Sequence, residues 1–339
     1  MVDILGTDSS NRLFGTDGDD NIQGLGGNDR IIGSAGNDTL DGGDGFDTVD
    51  FSEFGSPITV LTGGAFNTGS QGVLIQAERI IGATSQPNIL DAQDVEGNIA
   101  FDINLSQRSL SIVNAPPEIG PLNFEVRNFV NVNGSPNADS VIGSSANNNI
   151  DGGSGDDFIN GLSGNDFLLG AEGNDTILGG NDNDFLDGGS GDNSLNGNSG
   201  NDQIFSGEGH DTLLGGNDND LLSSGSGSDF LDGGSGSDEL LGGSDDDTLI
   251  GGNDNDTLNG GAGNDLLTGG AGSDIFVLTA GFGTDTITDF GLDNDSVSLA
   301  GGISFSDLSF AGSDIIFGAE TLATLDGFDA TTLTESDFV

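Results

Sequence analysis

The sequence predicts an all-β solenoid in which short strands stack along the chain. Residues 134–277 divide into 16 repeats of nine residues without an insertion or deletion, and residues 6–50 divide into five more. In the long block, position 1 is Gly in 14 repeats, position 6 is Asp in 14, and position 8 is apolar in all 16. A fixed short period of this kind is typical of solenoids whose repeats bury a shared core.

Each position of the repeat has a physical reason. Positions 7–9 predict a three-residue strand whose central side chain points inward, because side chains alternate along a strand. The six residues before it must turn, and their glycines allow positive φ and close backbone packing. The inward apolar residues run from Val141 to Phe276 in the long block and from Leu13 to Val49 in the short block.

The position-6 carboxylates predict a metal site. Each is expected to lie about 4.8 Å from its neighbour two repeats along, where two bare carboxylates repel each other. A shell of carboxylate and backbone carbonyl oxygens suits calcium rather than zinc or copper. The alternative, that Asp and Gly only form turns, does not explain a phase held over 16 repeats. The predicted ligands are Asp20, Asp29, Asp38, Asp47, Asp139, Asp157, Asp166, Asp175, Asp184, Asp202, Asp211, Asp220, Asp229, Asp238, Asp247, Asp256, Asp265 and Asp274.

The ladder also predicts folding that depends on calcium. One apolar residue in nine makes a thin core, and the chain carries 57 acidic residues against five basic ones, all arginine. A formal net charge of -52 excludes a nucleic-acid backbone as partner and disfavours an anionic membrane surface. No apolar stretch approaches the roughly 18 residues of a membrane-spanning helix, so no membrane insertion is expected.

The repeats resemble the RTX, or hemolysin-type, calcium-binding nonapeptide G-G-x-G-x-D-x-U-x. The stretches "GGSGDDFIN" from Gly152 and "GGAGNDLLT" from Gly260 match it in full. The resemblance implies a right-handed parallel β-roll with two repeats per turn. It also implies calcium between turns on both edges, held by the position-6 Asp and the carbonyls of the glycine turn.

Some repeats depart from that pattern. Asn148 and Asn193 at position 6 are expected to weaken their local sites. Four repeats have Asp instead of Gly at position 4, where the extra carboxylate either binds calcium or is tolerated by the turn. These four residues are Asp182, Asp218, Asp245 and Asp254.

The chain outside the repeats predicts two further segments. Residues 51–133, between the short β-roll block at 1–50 and the main β-roll at 134–277, hold strand-like runs such as "GVLIQ" and "AFDINL". They are interpreted as an irregular β insert, with a separate ligand-binding domain as the alternative. Residues 278–339 resemble a C-terminal β cap that ends in a type I secretion signal, "LDGFDATTLTESDFV". An ordinary amphipathic terminus is the alternative there.

The sequence predicts a protein that is not an enzyme. His210 is the single histidine and lies at a turn position, and the chain has no lysine or cysteine and no HExxH or GxSxG motif. The N-terminus has no basic, apolar signal peptide, which favours export by type I secretion machinery. We expect a secreted calcium-binding protein with a structural or interaction role at the cell surface or in the extracellular matrix. The alternatives are an enzyme with its site in residues 51–133 and an ice-binding β-roll.

One outward face predicts a partner. Positions 7 and 9 face away from the core, and on one sheet they form an apolar row. We expect this row to pack on another β-roll or on a cell-surface polymer; the alternative is a side-chain ladder that stabilises only its own sheet. The row consists of Phe167, Leu169, Phe185, Phe205, Leu221 and Leu241.

Overall fold

The structure is a computed structural model with two compact units, Met1–Gly161 and Leu162–Val339. It describes residues 2–35, 38–45, 47–51, 59–61, 65–67, 72–76, 79–81, 88–91, 100–105, 107–113, 123–127, 129–291 and 294–339. The division falls inside the long repeat block. The division into the four segments 1–50, 51–133, 134–277 and 278–339 stays a prediction.

The N-terminal unit, Met1–Gly161, contains strands β1 to β17. In chain order these are Val2–Thr7, Arg12–Phe14, Asp20–Leu25, Arg30–Ile32, Thr39–Asp41, Thr48–Asp50, Thr59–Leu61, Ala65–Asn67, Gly72–Gln76, Arg79–Ile81, Asn88–Asp91, Ala100–Asn104, Ser109–Val113, Asn123–Arg127, Phe129–Asn133, Ser140–Ser144 and Asn149–Ser154. Strand β18, Phe158–Ser163, crosses the boundary in sequence. The runs "GVLIQ" and "AFDINL" lie in β9 and β12, as expected.

Alternate strands of the N-terminal unit join different sheets. Strands β1, β3 and β5 pair in parallel, and so do β2, β4 and β6. The register between paired strands is 18 residues, which places Ile22 beside Leu40 and Ile31 beside Val49. Antiparallel pairs interrupt this pattern at β7–β8–β9 and β12–β13–β14. The parallel pairing resumes through β11, β15 and β17.

The C-terminal unit, Leu162–Val339, contains strands β19 to β36. In chain order these are Phe167–Glu172, Thr176–Asn181, Phe185–Ser190, Ser194–Ser199, Gln203–Glu208, Thr212–Asn217, Leu221–Ser226, Phe230–Ser235, Glu239–Ser244, Thr248–Asn253, Thr257–Ala262, Leu266–Ala271, Ile275–Leu278, Asp285–Ile287, Ser296–Leu299, Leu308–Ala311, Asp314–Phe317 and Glu320–Leu325. Short 3-10 helices lie at Phe305–Asp307, Ala330–Thr332 and Glu335–Asp337.

The C-terminal unit has two parallel sheets that the chain visits in turn. Strands β19, β21, β23, β25, β27, β29, β31 and β33 pair in that order. Strands β20, β22, β24, β26, β28, β30, β32 and β36 form the other sheet. One turn therefore takes two repeats, which confirms the predicted all-β fold of stacked parallel strands.

The strands of the long block are twice as long as the sequence predicted. Most have six residues, from position 7 of one repeat to position 3 of the next. In β21 the burial alternates so that Leu186 at position 8 and Gly188 at position 1 both face inward. Position 8 supplies the apolar core, since every position-8 side chain from Val141 to Phe276 is fully buried. The turn is thus confined to positions 4–6.

The last residues form a C-terminal β cap. Strands β34, β35 and β36 are antiparallel, and β36 pairs with β32. The terminal segment is part of this cap, because Leu325, Ala330 and Leu333 are buried and the Val339 N–H donates to the Val297 carbonyl at 3.0 Å. The predicted secretion signal therefore lies in packed structure.

Candidate metal ladders

All 18 predicted ligands lie at one kind of place. Each lies at the end of the turn, directly before the first residue of a strand or, for Asp20, as that first residue, and each is at most 4% exposed. The turn brings the position-6 carboxylate under the backbone, and the register of 18 residues stacks it on the carboxylate two repeats away. In the C-terminal unit this forms two ladders. The first ladder contains Asp175, Asn193, Asp211, Asp229, Asp247 and Asp265; the second contains Asp166, Asp184, Asp202, Asp220, Asp238, Asp256 and Asp274.

One oxygen of each ladder side chain is held by the backbone. The Asp184 N–H donates to Oδ1 of Asp202 at 2.7 Å, and the Asp202 N–H donates to Oδ1 of Asp220 at 2.8 Å. The same bond joins Asp220 to Asp238 at 2.7 Å and Asp238 to Asp256 at 2.8 Å. These bonds fix the orientation of the carboxylates that accept them and leave the second oxygen facing the position-1 residue.

The second oxygen, Oδ2, is buried and has no hydrogen-bond donor in ten of the predicted ligands in the described part of the chain. A buried polar atom without a partner costs about 1–3 kcal/mol, and more when it is charged. A cation beside these oxygens would remove that cost. The ten are Asp29, Asp184, Asp202, Asp211, Asp220, Asp229, Asp238, Asp247, Asp256 and Asp265.

Glycine at position 1 makes room beside each Oδ2. A Cβ on Gly215 would lie 2.5 Å from Asp220 Oδ2 and 2.6 Å from the Gly233 carbonyl oxygen. A Cβ on Gly251 would lie 2.4 Å from Asp256 Oδ2. We call this space, between Oδ2 of a repeat and the position-1 carbonyl two repeats on, the cradle. It presents two oxygen atoms of the kind that calcium binds.

The two reasons that the sequence suggested for the glycines, positive φ and close packing, apply at different positions of the repeat. Positive φ occurs at positions 2 and 4, as at Gly180 with φ 122° and Gly191 with φ 115°. The position-1 glycines Gly215 and Gly251 have no such φ, because they are strand residues. They are required for space, and a side chain would enter the cradle.

The donor set is rich in backbone oxygen. Among the described residues, no group of three His, Cys, Asp or Glu side chains converges to hold a metal ion. A cation in a cradle would therefore depend on backbone carbonyls as well as on carboxylates. Such a shell fits calcium, which takes six to eight oxygen ligands in flexible geometry.

The ladder carboxylates resist ionisation without a counter-ion. Burial, together with the neighbouring charges of Asp202 and Asp238, raises the pKa of Asp220 to about 8, against the lowering effect of the Asp202 N–H. Burial likewise raises the pKa of Asp184 and Asp256 to about 7. A divalent cation would favour the ionised form of every one of these groups.

The four position-4 aspartates adopt positive φ between 72° and 78°. These are Asp182, Asp218, Asp245 and Asp254. All four are exposed. The turn tolerates Asp there, and Asp182 Oδ2 accepts a hydrogen bond from the Gly164 N–H at 3.2 Å. Their role as additional ligands stays a prediction.

Not all predicted ligands are equivalent. Oδ2 of Asp20 accepts a hydrogen bond from the Thr16 N–H at 2.5 Å, and Oδ2 of Asp38 accepts one from the Ser34 hydroxyl at 3.1 Å. Oδ2 of Asp139 accepts one from the Ser135 N–H at 2.5 Å. At these three positions a polar residue at position 2 already donates a hydrogen bond to the oxygen that faces the cradle.

Two ladder residues were missed from the sequence. Asp285 accepts a hydrogen bond from the Asp265 N–H at 3.2 Å, and Asp295 accepts one from the Asp274 N–H at 3.1 Å. Burial and the Asp265 charge raise the pKa of Asp285 to about 7. The spacings are 20 and 21 residues, so a strict period of nine excludes them. The signal that remains is an Asp two residues before an inward apolar residue, Ile287 or Val297.

Position 5 forms a second, exposed ladder. The Asn201 N–H donates to Asn183 Oδ1 at 2.9 Å, and the Asn219 N–H donates to Asn201 Oδ1 at 3.0 Å. His210 belongs to a ladder of this kind, because its Nδ1 accepts a hydrogen bond from the Ser228 N–H at 3.0 Å. It is an exposed turn residue, as expected, and it also accepts a hydrogen bond from a backbone N–H of the next turn.

The apolar row forms a packed ladder on one sheet. The Phe167 and Phe185 rings stack with centroids 4.7 Å apart and planes 9° apart, and Phe205 follows at 5.4 Å from Phe185. Phe167 is 41% exposed. Phe185, Phe205, Leu169, Leu221 and Leu241 are half-buried. The rings therefore cover one another and stabilise their own sheet, while part of the row remains accessible.

Among the described residues, no helix is long and apolar enough to cross a membrane.

A family model, the RTX calcium-binding nonapeptide repeat (4 copies), matches more than half of the chain. The matched residues are 5–49, 133–168, 142–177, 169–204, 178–213, 205–240, 214–249, 241–276 and 250–287. No curated protein matches the chain.

Several solved structures are similar to the chain, among them the following two. One is the extracellular lipase LipA from Serratia marcescens, with 15% identity and a TM-score of 0.20; the match covers 97% of this chain and 40% of the lipase. The other is a hyperactive, Ca²⁺-dependent, β-helical antifreeze protein from an Antarctic bacterium. It has 18% identity and a TM-score of 0.32, and the match covers 86% of this chain and 83% of that protein. The chain thus spans less than half the length of the lipase.

Proposed function

Because the chain belongs to the family of RTX calcium-binding nonapeptide repeat proteins, we propose that it is a secreted protein whose folding depends on calcium. Its role is structural or interactive, at the cell surface or in the extracellular matrix. The observation that supports this most directly is the row of ten buried Oδ2 atoms without a hydrogen-bond donor, eight of them beside a position-1 glycine.

The position-6 carboxylates are the proposed ligands, together with the position-1 carbonyls. Oδ1 keeps its bond from the backbone N–H and holds the carboxylate in place, while Oδ2 faces the cradle. The best-formed sites are those in which Oδ2 has no protein donor, such as Asp184, Asp220 and Asp256. Bound calcium supplies positive charge between carboxylates whose pKa burial and mutual repulsion raise.

A calcium titration tests this proposal. We expect little β-structure in excess chelator and a cooperative gain of β-structure in millimolar calcium, followed by circular dichroism and isothermal titration calorimetry. Magnesium is the matched control, because it demands octahedral geometry and releases its water reluctantly. The same β spectrum in chelator and in calcium would contradict the proposal.

We also propose export by type I secretion machinery with residues 325–339 as the signal. Deleting this segment would also remove the buried side chains of Leu325, Ala330 and Leu333, and so damage the cap. Replacing the exposed Thr331 and Thr334 by Ala alters the signal and keeps the buried side chains of the cap, although it removes the hydrogen bonds that the two hydroxyls donate to Asp329 and Asp337. Export of this variant should fall while its calcium-induced β spectrum matches that of the parent; undiminished export would remove the case for the signal.

A further inference from the structure

Three successive steps of the first ladder depart from the repeat at the positions that form the cradle. Asn193 replaces Asp at position 6, and Ser206 and Ser224 replace Gly at position 1. The three residues are at most 3% exposed. They belong to repeats that follow one another on the same edge, since the Asn193 N–H donates to Asp211 Oδ1 and the Asp211 N–H donates to Asp229 Oδ1.

The side chains of these residues donate hydrogen bonds to the cradle carbonyls. Nδ2 of Asn193 donates to the Ser206 carbonyl of its cradle at 3.4 Å, and also to the Gly191 carbonyl of its own turn at 3.0 Å. The Ser206 hydroxyl donates to the Ser224 carbonyl at 3.0 Å, and the Ser224 hydroxyl donates to the Gly242 carbonyl at 2.6 Å. Each of the three cradles therefore contains a protein N–H or O–H.

The orientation of the Asn193 amide follows from its neighbours. Its Oδ1 accepts the ladder hydrogen bond from the Asp175 N–H at 2.9 Å, so the amide nitrogen takes the place that Oδ2 holds in a regular repeat. A Cβ on Gly188 would lie 2.8 Å from this nitrogen. The cradle thus presents a donor hydrogen where a cation would need an oxygen lone pair.

The serines close their cradles by volume as well. In the regular repeats at Gly215 and Gly233, a Cβ would already lie 2.5 Å from Oδ2 of the ladder aspartate. At Ser206 and Ser224 a real Cβ and a hydroxyl enter this space. The carbonyl that would bind the ion instead accepts a hydrogen bond from the serine hydroxyl.

We infer that these three cradles are closed by the protein's own donors and do not bind calcium. The first ladder then has a metal-free stretch between Asp175 and Asp247, although its repeats keep the family's period. The second ladder has Asp at position 6 and Gly at position 1 in every repeat from Gly179 to Gly269. The two edges therefore bind unequal numbers of ions. This inference rests on the proposed calcium-dependent function.

The closed stretch also gives one edge a partial independence from calcium. Its carbonyls accept hydrogen bonds from the side chains of Asn193, Ser206 and Ser224 whether or not the ion is present. Oδ2 of Asp211 and Asp229 remains buried without a hydrogen-bond donor, so this independence concerns the carbonyls alone.

A pair of mirrored variants tests the inference. The variant Asn193→Asp, Ser206→Gly, Ser224→Gly restores the regular repeat on the first edge. The matched variant Asp202→Asn, Gly215→Ser, Gly233→Ser places the same three departures on the second edge, where the parent has regular cradles. Bound calcium is counted by isothermal titration calorimetry and by metal analysis after gel filtration, with circular dichroism as the folding control in millimolar calcium.

We expect the restored variant to bind three more calcium ions per chain than the parent, and the matched variant three fewer. Equal non-zero counts in the parent and the restored variant would overturn this inference and leave the proposed function intact. If neither protein binds calcium, the proposed function and this inference both fail. The restored variant decides the question even if the matched variant does not fold, since its changes follow the regular repeat.

Discussion

Replacing Asp220 by Asn separates the two effects of a ladder carboxylate. In the metal-free protein the carboxylate is a buried group that resists ionisation, while in the calcium-loaded protein it is a proposed ligand. Asparagine keeps the size and the oxygen that accepts the Asp202 N–H, and it removes the charge. We therefore expect the substitution to change stability in opposite directions in chelator and in calcium.

The stabilisation expected in chelator follows from the pKa. Burial raises the pKa of Asp220 to about 8 from its ordinary value of 3.8. At pH 7 the folded chain must take up a proton that the unfolded chain does not hold, at about 1.36 kcal/mol per pH unit. Removing the acid thus stabilises the metal-free fold by at most about 4 kcal/mol. The amide can also donate to the Gly233 carbonyl, as Asn193 donates to Ser206.

The destabilisation expected in calcium follows from mass action. A site with a dissociation constant of about 10⁻⁴–10⁻³ M, as in extracellular modules, contributes about 1.4–2.7 kcal/mol at roughly 10 mM free calcium. Loss of one cradle removes that amount. The substitution should therefore lower the free energy of unfolding in calcium by a few kcal/mol and raise it in chelator.

Urea unfolding followed by circular dichroism measures both changes. In chelator, trimethylamine-N-oxide can stabilise the weakly folded chain and bring its transition into range. Asn193→Asp is the mirror variant, and its effects should have the opposite signs. If Asp220→Asn destabilises the protein equally in chelator and in calcium, the carboxylate contributes only packing, and the reasoning from the ladder is wrong.

Three further predictions follow from the ladders and from the apolar row. Burial raises the pKa values of ladder aspartates to about 6–8, so the metal-free fold is most stable below the unfolded pKa near 3.8 and loses stability as the pH rises through 6–8. The β-structure measured in chelator should therefore increase on acidification, and a decrease would contradict the predicted pH dependence. Gly251→Ala should lower calcium affinity and reduce the free energy of unfolding by about 1–3 kcal/mol through overpacking, because its Cβ meets Asp256 Oδ2. Gly18→Ala is the control, since its Cβ meets nothing within 4 Å. Equal calorimetric titrations of the two variants would disprove the cradle. Changing Phe167, Phe185 and Phe205 to Thr should preserve calcium-induced folding and abolish self-association or retention on the cell surface; unchanged sedimentation and attachment would leave the row as a sheet ladder only.

The regular parts of the fold were predictable because every turn of the solenoid requires the same residue types at the same positions of the repeat. An inward apolar residue at position 8 and an acid at position 6 are required in every turn, so Leu186 and Asp184 stand out as members of a pattern in the amino-acid sequence alone. The two parallel sheets and the 18-residue register confirm that pattern. The continuation at Asp285 and Asp295 was missed because added residues in the turn change the spacing and leave the ladder intact.

The sequence by itself determined the period, the fold class and the calcium-binding family, because these depend on residue types that recur at fixed spacing. Only the tertiary structure decided why position 1 is glycine and which cradles are open. Both depend on atoms that are 18 residues apart in the chain and a few ångströms apart in space, such as the Ser224 hydroxyl and the Gly242 carbonyl at 2.6 Å. The sequence does not show whether the hydroxyl of a serine faces water or occupies a metal site, because the stacking of successive turns determines its position.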